Sequence, residues 1–156
     1  MIIYLLRHGH AKPQVTTDDA RQLTAKGIAE TEEVVARRCE ALAKVTSVWA
    51  SPLVRAQQTA QIARQYCPDI LVQTTELLVP EADPLQVIDG LYRHQASLGG
   101  VVLLVSHQPI VGRLLGLLCG KPEGFYAMGT SSLAAVEIEL PAANLGSLTW
   151  LDHPTP

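Results

Sequence analysis

The sequence predicts a three-layer α/β/α sandwich around a mostly parallel sheet. Short apolar runs alternate with amphipathic segments of helical length. One of these runs, Val101 to Val105, is continuously apolar, as a central strand covered on both faces would be. The 156 residues are 47% hydrophobic, enough for one core and too apolar for a disordered chain. No repeat, linker or low-complexity stretch interrupts them, so residues 1–156 read as a single domain.

The elements follow in order. Ile2 to Leu6 is a short buried strand, and polar His8 to Gln22 is a long loop. Thr24 is placed to cap a helix running to about Ala43, with Ile28, Val35, Cys39 and Leu42 on its apolar face. Ser47 to Ala50 is a second strand, Leu53 to Tyr66 a helix and Ile70 to Gln73 a third strand. Pro84 opens a helix that ends near His94. After the turn at Gly99-Gly100 comes the strand from Val101 to Val105, then a helix from Pro109 to Cys119 closed by Gly120. Leu133 to Leu140 alternates apolar and acidic residues as an edge strand does, and Ser147 to Leu151 is the last strand. His94 and His153 are expected in solvent; Trp49 and Trp150 are expected in the core.

Composition excludes several functions. There are 12 Lys and Arg against 15 Asp and Glu, and only 4% aromatics. A nucleic-acid binder would carry a basic surface or stacking aromatics. The longest apolar stretch, Val101 to Leu118, contains His107, Gln108 and Arg113, which a membrane span would accommodate only at high cost. Cys39, Cys67 and Cys119 are odd in number and lack metal-site spacing, as reduced thiols of a cytoplasmic protein would.

In open α/β sheets, ligands bind beyond the carboxyl ends of the strands. Strand one ends in Arg7-His8-Gly9-His10, strand two in Ser51-Pro52 with Arg55 one turn on, and the central strand in Ser106-His107. Arg21 lies on the first loop. An acidic chain thus gathers two histidines and up to three arginines at one edge, a focused anion site. A phosphoryl group fits it: it carries about −1.5 to −2 charge at pH 7, and guanidinium forks match its oxygens. Gly9 lets the backbone approach a ligand closely. A neutral imidazole is a competent nucleophile toward phosphorus, so His8 is assigned as nucleophile and His107 as donor to the phosphoryl oxygens.

Three ordered segments resemble the histidine phosphatase superfamily, the phosphoglycerate-mutase-like proteins. They are Leu6-Arg7-His8-Gly9, Ser51-Pro52-Leu53-Val54-Arg55-Ala56-Gln57-Gln58-Thr59-Ala60 and Val105-Ser106-His107-Gln108-Pro109. The resemblance implies a phosphohistidine intermediate on His8, with Arg7, Arg55 and His107 forming the phosphate pocket and no cofactor. Two further stretches, Arg21-Gln22-Leu23-Thr24-Ala25-Lys26-Gly27 and Glu76-Leu77-Leu78-Val79-Pro80, resemble the short SixA-type phosphohistidine phosphatases. That likeness implies a phosphohistidine-bearing protein as substrate; a small phosphomonoester cleaved by the same mechanism is the alternative. His10 stands where an acidic residue is common in these relatives. Glu76, Glu81 and Asp83 compete as general acid. A phosphohistidine substrate has the lesser need of one, since its imidazole leaving group takes a proton near neutral pH.

Two other readings are kept. His8 and His10 form an H-x-H pair that Asp18, Asp19 and His107 could complete as a metal site, although Arg7 and Arg55 would repel a dication. A phosphate-binding module without turnover would use the same arginines.

Overall fold

A computed structural model describes all residues, 1–156. Six strands form one sheet: β1 (Ile2–Arg7), β2 (Ser47–Ala50), β3 (Val72–Thr74), β4 (Val101–Ser106), β5 (Leu133–Glu137) and β6 (Ser147–Asp152). Six helices accompany them: α1 (Ala25–Arg37), α2 (Cys39–Leu42), α3 (Val54–Arg64), α4 (Pro84–Arg93), α5 (Gln95–Leu98) and α6 (Ile110–Cys119). The strand order is β3-β2-β4-β1-β5-β6. The first four strands in this order are parallel; β5 pairs antiparallel with β1, and β6 pairs antiparallel with β5.

Strand alternation divides the core into two layers. Tyr4, Leu6, Val48, Leu103 and Val105 pack with Val34, Val35, Ala56 and Ala60 from α1 and α3. Ile3, Leu5, Trp49, Val102 and Leu104 pack on the other face with Val87, Leu91, Ile110 and Leu114 from α4 and α6. The chain leaves β1 toward α1 on one face and leaves the adjacent β4 toward α6 on the opposite face. A crevice opens between such neighbours beyond their carboxyl ends. Arg7 pairs in register with Ser106 across these strands. His8 and His107, the next residues on each, therefore emerge side by side.

Three elements differ from expectation. The first helix breaks at Arg38, whose guanidinium lies 4.0 Å from the centre of the Trp150 ring and bonds Asp152 Oδ2 at 3.0 Å. Its buried stripe is Gly27, Thr31, Val34 and Val35, while Ile28 is exposed. The cause lies at Gly27, which must face the His10 backbone and so rotates Ile28 outward. The third strand is shifted to Val72–Thr74. The strand from Leu133 is interior rather than an edge: Leu133, Ala134, Ala135 and Val136 are all buried between β1 and β6. The acidic alternation that suggested an edge begins only at Glu137, where the sheet runs out.

Smaller expectations are met. Thr24 caps α1 through Gly27 N at 3.0 Å. Gly120 closes α6 in the left-handed conformation, at φ 68°. Trp49 is buried, His94 is exposed, and all three cysteines are free. No helix is long and apolar enough to cross a membrane.

Candidate active site

The site is built at the carboxyl ends of β1, β2 and β4, which are neighbours in the sheet. His8 lies just past β1, its backbone N–H held by Ser106 O at 2.9 Å. Its Nδ1 is 2.7 Å from the Gly9 carbonyl. A carbonyl only accepts, so Nδ1 carries the proton and the Nε2 lone pair is free. Arg55 Nε donates to that Nε2 at 3.3 Å. Gly9 fits because a Cβ there would come within 2.8 Å of both Gly27 O and Thr31 Oγ1. Its N–H is received by Thr59 Oγ1 at 3.1 Å, which ties the His8 turn to α3.

His107 sits opposite, its ring centroid 5.0 Å from that of His8. Its Nε2 lies 2.7 Å from Ser51 Oγ. Ser51 Oγ also accepts the Leu53 N–H at 3.3 Å, and of these two partners only His107 Nε2 can accept the hydroxyl proton. The remaining proton of a neutral His107 is then on Nδ1, which is buried and has no partner in the protein.

Three arginines approach the histidines. Arg55, only 4% exposed, spends its other two donor groups on one residue: Nη1 reaches Asp18 O at 2.9 Å and Nη2 reaches Asp18 Oδ2 at 3.1 Å. Arg7 Nη1 donates to Met128 O at 3.0 Å, and its buried Nε is unpartnered. Arg21 is one step removed, held by Lys12 O at 2.7 Å and by Asp18 Oδ1 at 3.2 Å.

The electrostatics follow from burial and the arginines. His8 is pushed down to about 4, first by burial and then by the positive charge of Arg55, Arg7 and Arg21, against the Gly9 hydrogen bond. His107 falls to about 3 through burial, with His8 and Arg55 adding to the effect. Both imidazoles are therefore neutral at pH 7. Burial and then Arg55 also lower Arg7. At Asp18, burial pulls upward, but hydrogen bonds from Arg21 and Arg55 outweigh it and keep the carboxyl below its ordinary range.

The structure thus brings Arg7, His8, Gly9, Arg55 and His107 together and sets Arg21 behind Asp18. Glu76 and Glu81 line an adjoining cleft of about 310 Å3, together with Asp18, Asp19, Pro52 and Leu53. Asp83 does not line this cleft but shares a second one with Glu76 and Glu81, and its carboxylate caps α4 by accepting the Leu85 N–H at 2.9 Å. The H-x-H pair does not converge, since His10 is exposed and its Nδ1 is bonded to Thr24 Oγ1 at 2.8 Å. Sequence reasoning passed over Asp18 as an arginine partner, the Ser51 hydroxyl and Thr59. The i,i+3 spacing of Asp18 and Arg21 was the available sign of the first.

Residues 3–79 match the histidine phosphatase superfamily (branch 1). The phosphohistidine phosphatase SixA of Escherichia coli (strain K12) is 29% identical, over 99% of this chain and 94% of that protein. A SixA homolog of Haemophilus influenzae is 31% identical, over 81% of this chain and 83% of that protein. A solved structure of SixA complexed with tungstate superposes with a TM-score of 0.88 at 27% identity, covering 99% of this chain and 97% of that one. With its Arg-His-Gly turn, its paired histidines and these relatives, the chain belongs to the histidine phosphatase superfamily, and within it is similar to the SixA phosphohistidine phosphatases.

Proposed function

We propose that this chain, acting as one domain over residues 1–156 in the cytoplasm, removes the phosphoryl group from phosphohistidine on a signalling or phosphotransfer protein. The observation that carries the reading is the state of His8. One ring nitrogen is anchored to a carbonyl, and the other presents a neutral lone pair to Arg55.

In the first step His8 Nε2 attacks phosphorus. The new P–N bond forms as the P–N bond to the substrate imidazole breaks, and the departing ring nitrogen takes a proton from solvent or from Glu76 or Glu81 in the adjoining cleft. In the second step water attacks phospho-His8. Its oxygen bonds to phosphorus, its proton leaves with the phosphate or into solvent, and His8 Nε2 recovers its electron pair. His8 keeps its Nδ1 proton throughout. Arg55 Nε and Arg7 Nε face the equatorial oxygens, and His107 Nδ1–H supplies a neutral donor. The preorganised donors cost little to reorganise as charge moves, and one such donor is typically worth about 10²–10³ in rate.

The test compares phosphate release from a phosphohistidine-carrying protein and from a simple phosphomonoester, with chelator present. Faster release from the former supports the reading. Preference for the phosphomonoester reassigns the substrate to a small molecule with the same mechanism. Loss of all activity with chelator overturns the mechanism in favour of a metal-dependent one.

A further inference from the structure

Asp18 lies on a short helical turn (Asp18–Ala20) of the loop between β1 and α1, and makes three polar contacts with two arginines. Its carboxylate is half-exposed, yet it is spent entirely on guanidinium groups: Oδ1 on Arg21 at 3.2 Å and Oδ2 on Arg55 at 3.1 Å. Its backbone carbonyl takes Arg55 Nη1 at 2.9 Å.

A guanidinium offers five N–H bonds in one plane. Asp18 engages both terminal nitrogens of Arg55. The Nε–H is left pointing at His8 Nε2, 3.3 Å away. A phosphoryl group carried on Nε2 would place an oxygen within reach of that Nε–H. The clamp and the phosphoryl group therefore use different parts of the same guanidinium and can be present together. Arg21, anchored to Lys12 O at 2.7 Å, holds the far side of the carboxylate.

Resting on the phosphoryl-transfer reading above, we propose that Asp18 is a positioning residue that clamps Arg55 so that its Nε–H faces the phosphoryl group on His8. Arg21 serves the reaction by fixing Asp18. A floppy arginine at this point would still bind anions but would meet the transferring group in many orientations. A misplacement of about 1 Å costs up to about 10²-fold in rate.

The experiment measures kcat, KM, inhibition by inorganic phosphate and thermal stability for wild type, Asp18→Ala and Asp18→Asn, on the better of the two substrates above. Asp18→Ala is expected to lower kcat by roughly ten- to a hundredfold and to weaken phosphate inhibition, with the melting temperature little changed. Both variants keep the backbone carbonyl that receives Arg55 Nη1, but Asp18→Asn also keeps a neutral side-chain acceptor and should recover part of kcat. Tighter phosphate inhibition in Asp18→Ala would overturn the proposal, because it would show the carboxylate competing with the phosphoryl group. So would an unchanged kcat in an active enzyme. A wild type inert on both substrates would instead overturn the reading of the site itself.

Discussion

At the scale of single residues, the chemistry rests on where two protons sit. The Gly9 carbonyl assigns one ring nitrogen of His8, and the Ser51 hydroxyl assigns one of His107. Burial then keeps both rings neutral far below the ordinary imidazole range. NMR titration of the ring resonances should find His8 protonating near pH 4 and His107 near pH 3; midpoints close to 6.5 would contradict the account. Arg55→Lys retains the charge but loses the planar fork and the Nε–H, and should lower kcat by about 10²–10³, read by steady-state kinetics with circular dichroism as a control for folding. Much of this was legible in sequence, because Arg7 ends a strand, His8 and His107 directly follow one, and Arg55 is in the first turn of the helix after one. Asp18 was not. A carboxylate in a long polar loop is usually solvated, and only the folded loop brings it across to α3.

At the scale of elements, local chemistry and tertiary fit pulled apart in a few places. Thr24 and Pro84 mark helix starts by chemistry that acts within a turn, so they could be read directly. The face of α1 could not. Its apolar pattern favoured Ile28, but Gly27 packs so closely on the loop after β1 that a Cβ would fall 2.1 Å from His10 O. That backbone contact, invisible to a hydropathy pattern, sets the rotation of the helix. Gly27→Ala should therefore push α1 away from the His8 turn. Overpacking of this kind costs about 1–3 kcal/mol, and it should appear as a lower urea midpoint together with reduced activity. A variant as stable and as active as wild type would show that the contact is not rigid. The interior place of β5 was hidden for a related reason: of its paired residues only the last, Glu137, is acidic, and the four before it are apolar on both faces.

For the whole molecule, the site and the stability share the same two histidines. Unfolded imidazoles protonate near 6.5, whereas His8 and His107 do so only at about 4 and about 3 in the fold. The unfolded chain thus binds more protons between these values. Stability is full above about pH 6.5 and falls as the pH drops toward 4, by up to about 1.4 kcal/mol per pH unit for each histidine. Urea unfolding at pH 7.5 and 5 should show this loss, and His107→Asn should reduce the slope; a slope unchanged by the substitution would contradict the assignment. The topology made the site findable, because β1 and β4 send their chains to opposite faces and open a crevice where the two histidines emerge. The proposed reaction turns on His8 carrying the phosphoryl group. The direct measurement is to mix enzyme with phosphorylated substrate, quench in alkali within a turnover, and look for phosphohistidine on the enzyme by mass spectrometry and 31P NMR. A phosphoryl group on His8 Nε2, absent in His8→Ala, is the predicted result. Wild-type turnover with no phosphorylated enzyme, or undiminished turnover in His8→Ala, would contradict it.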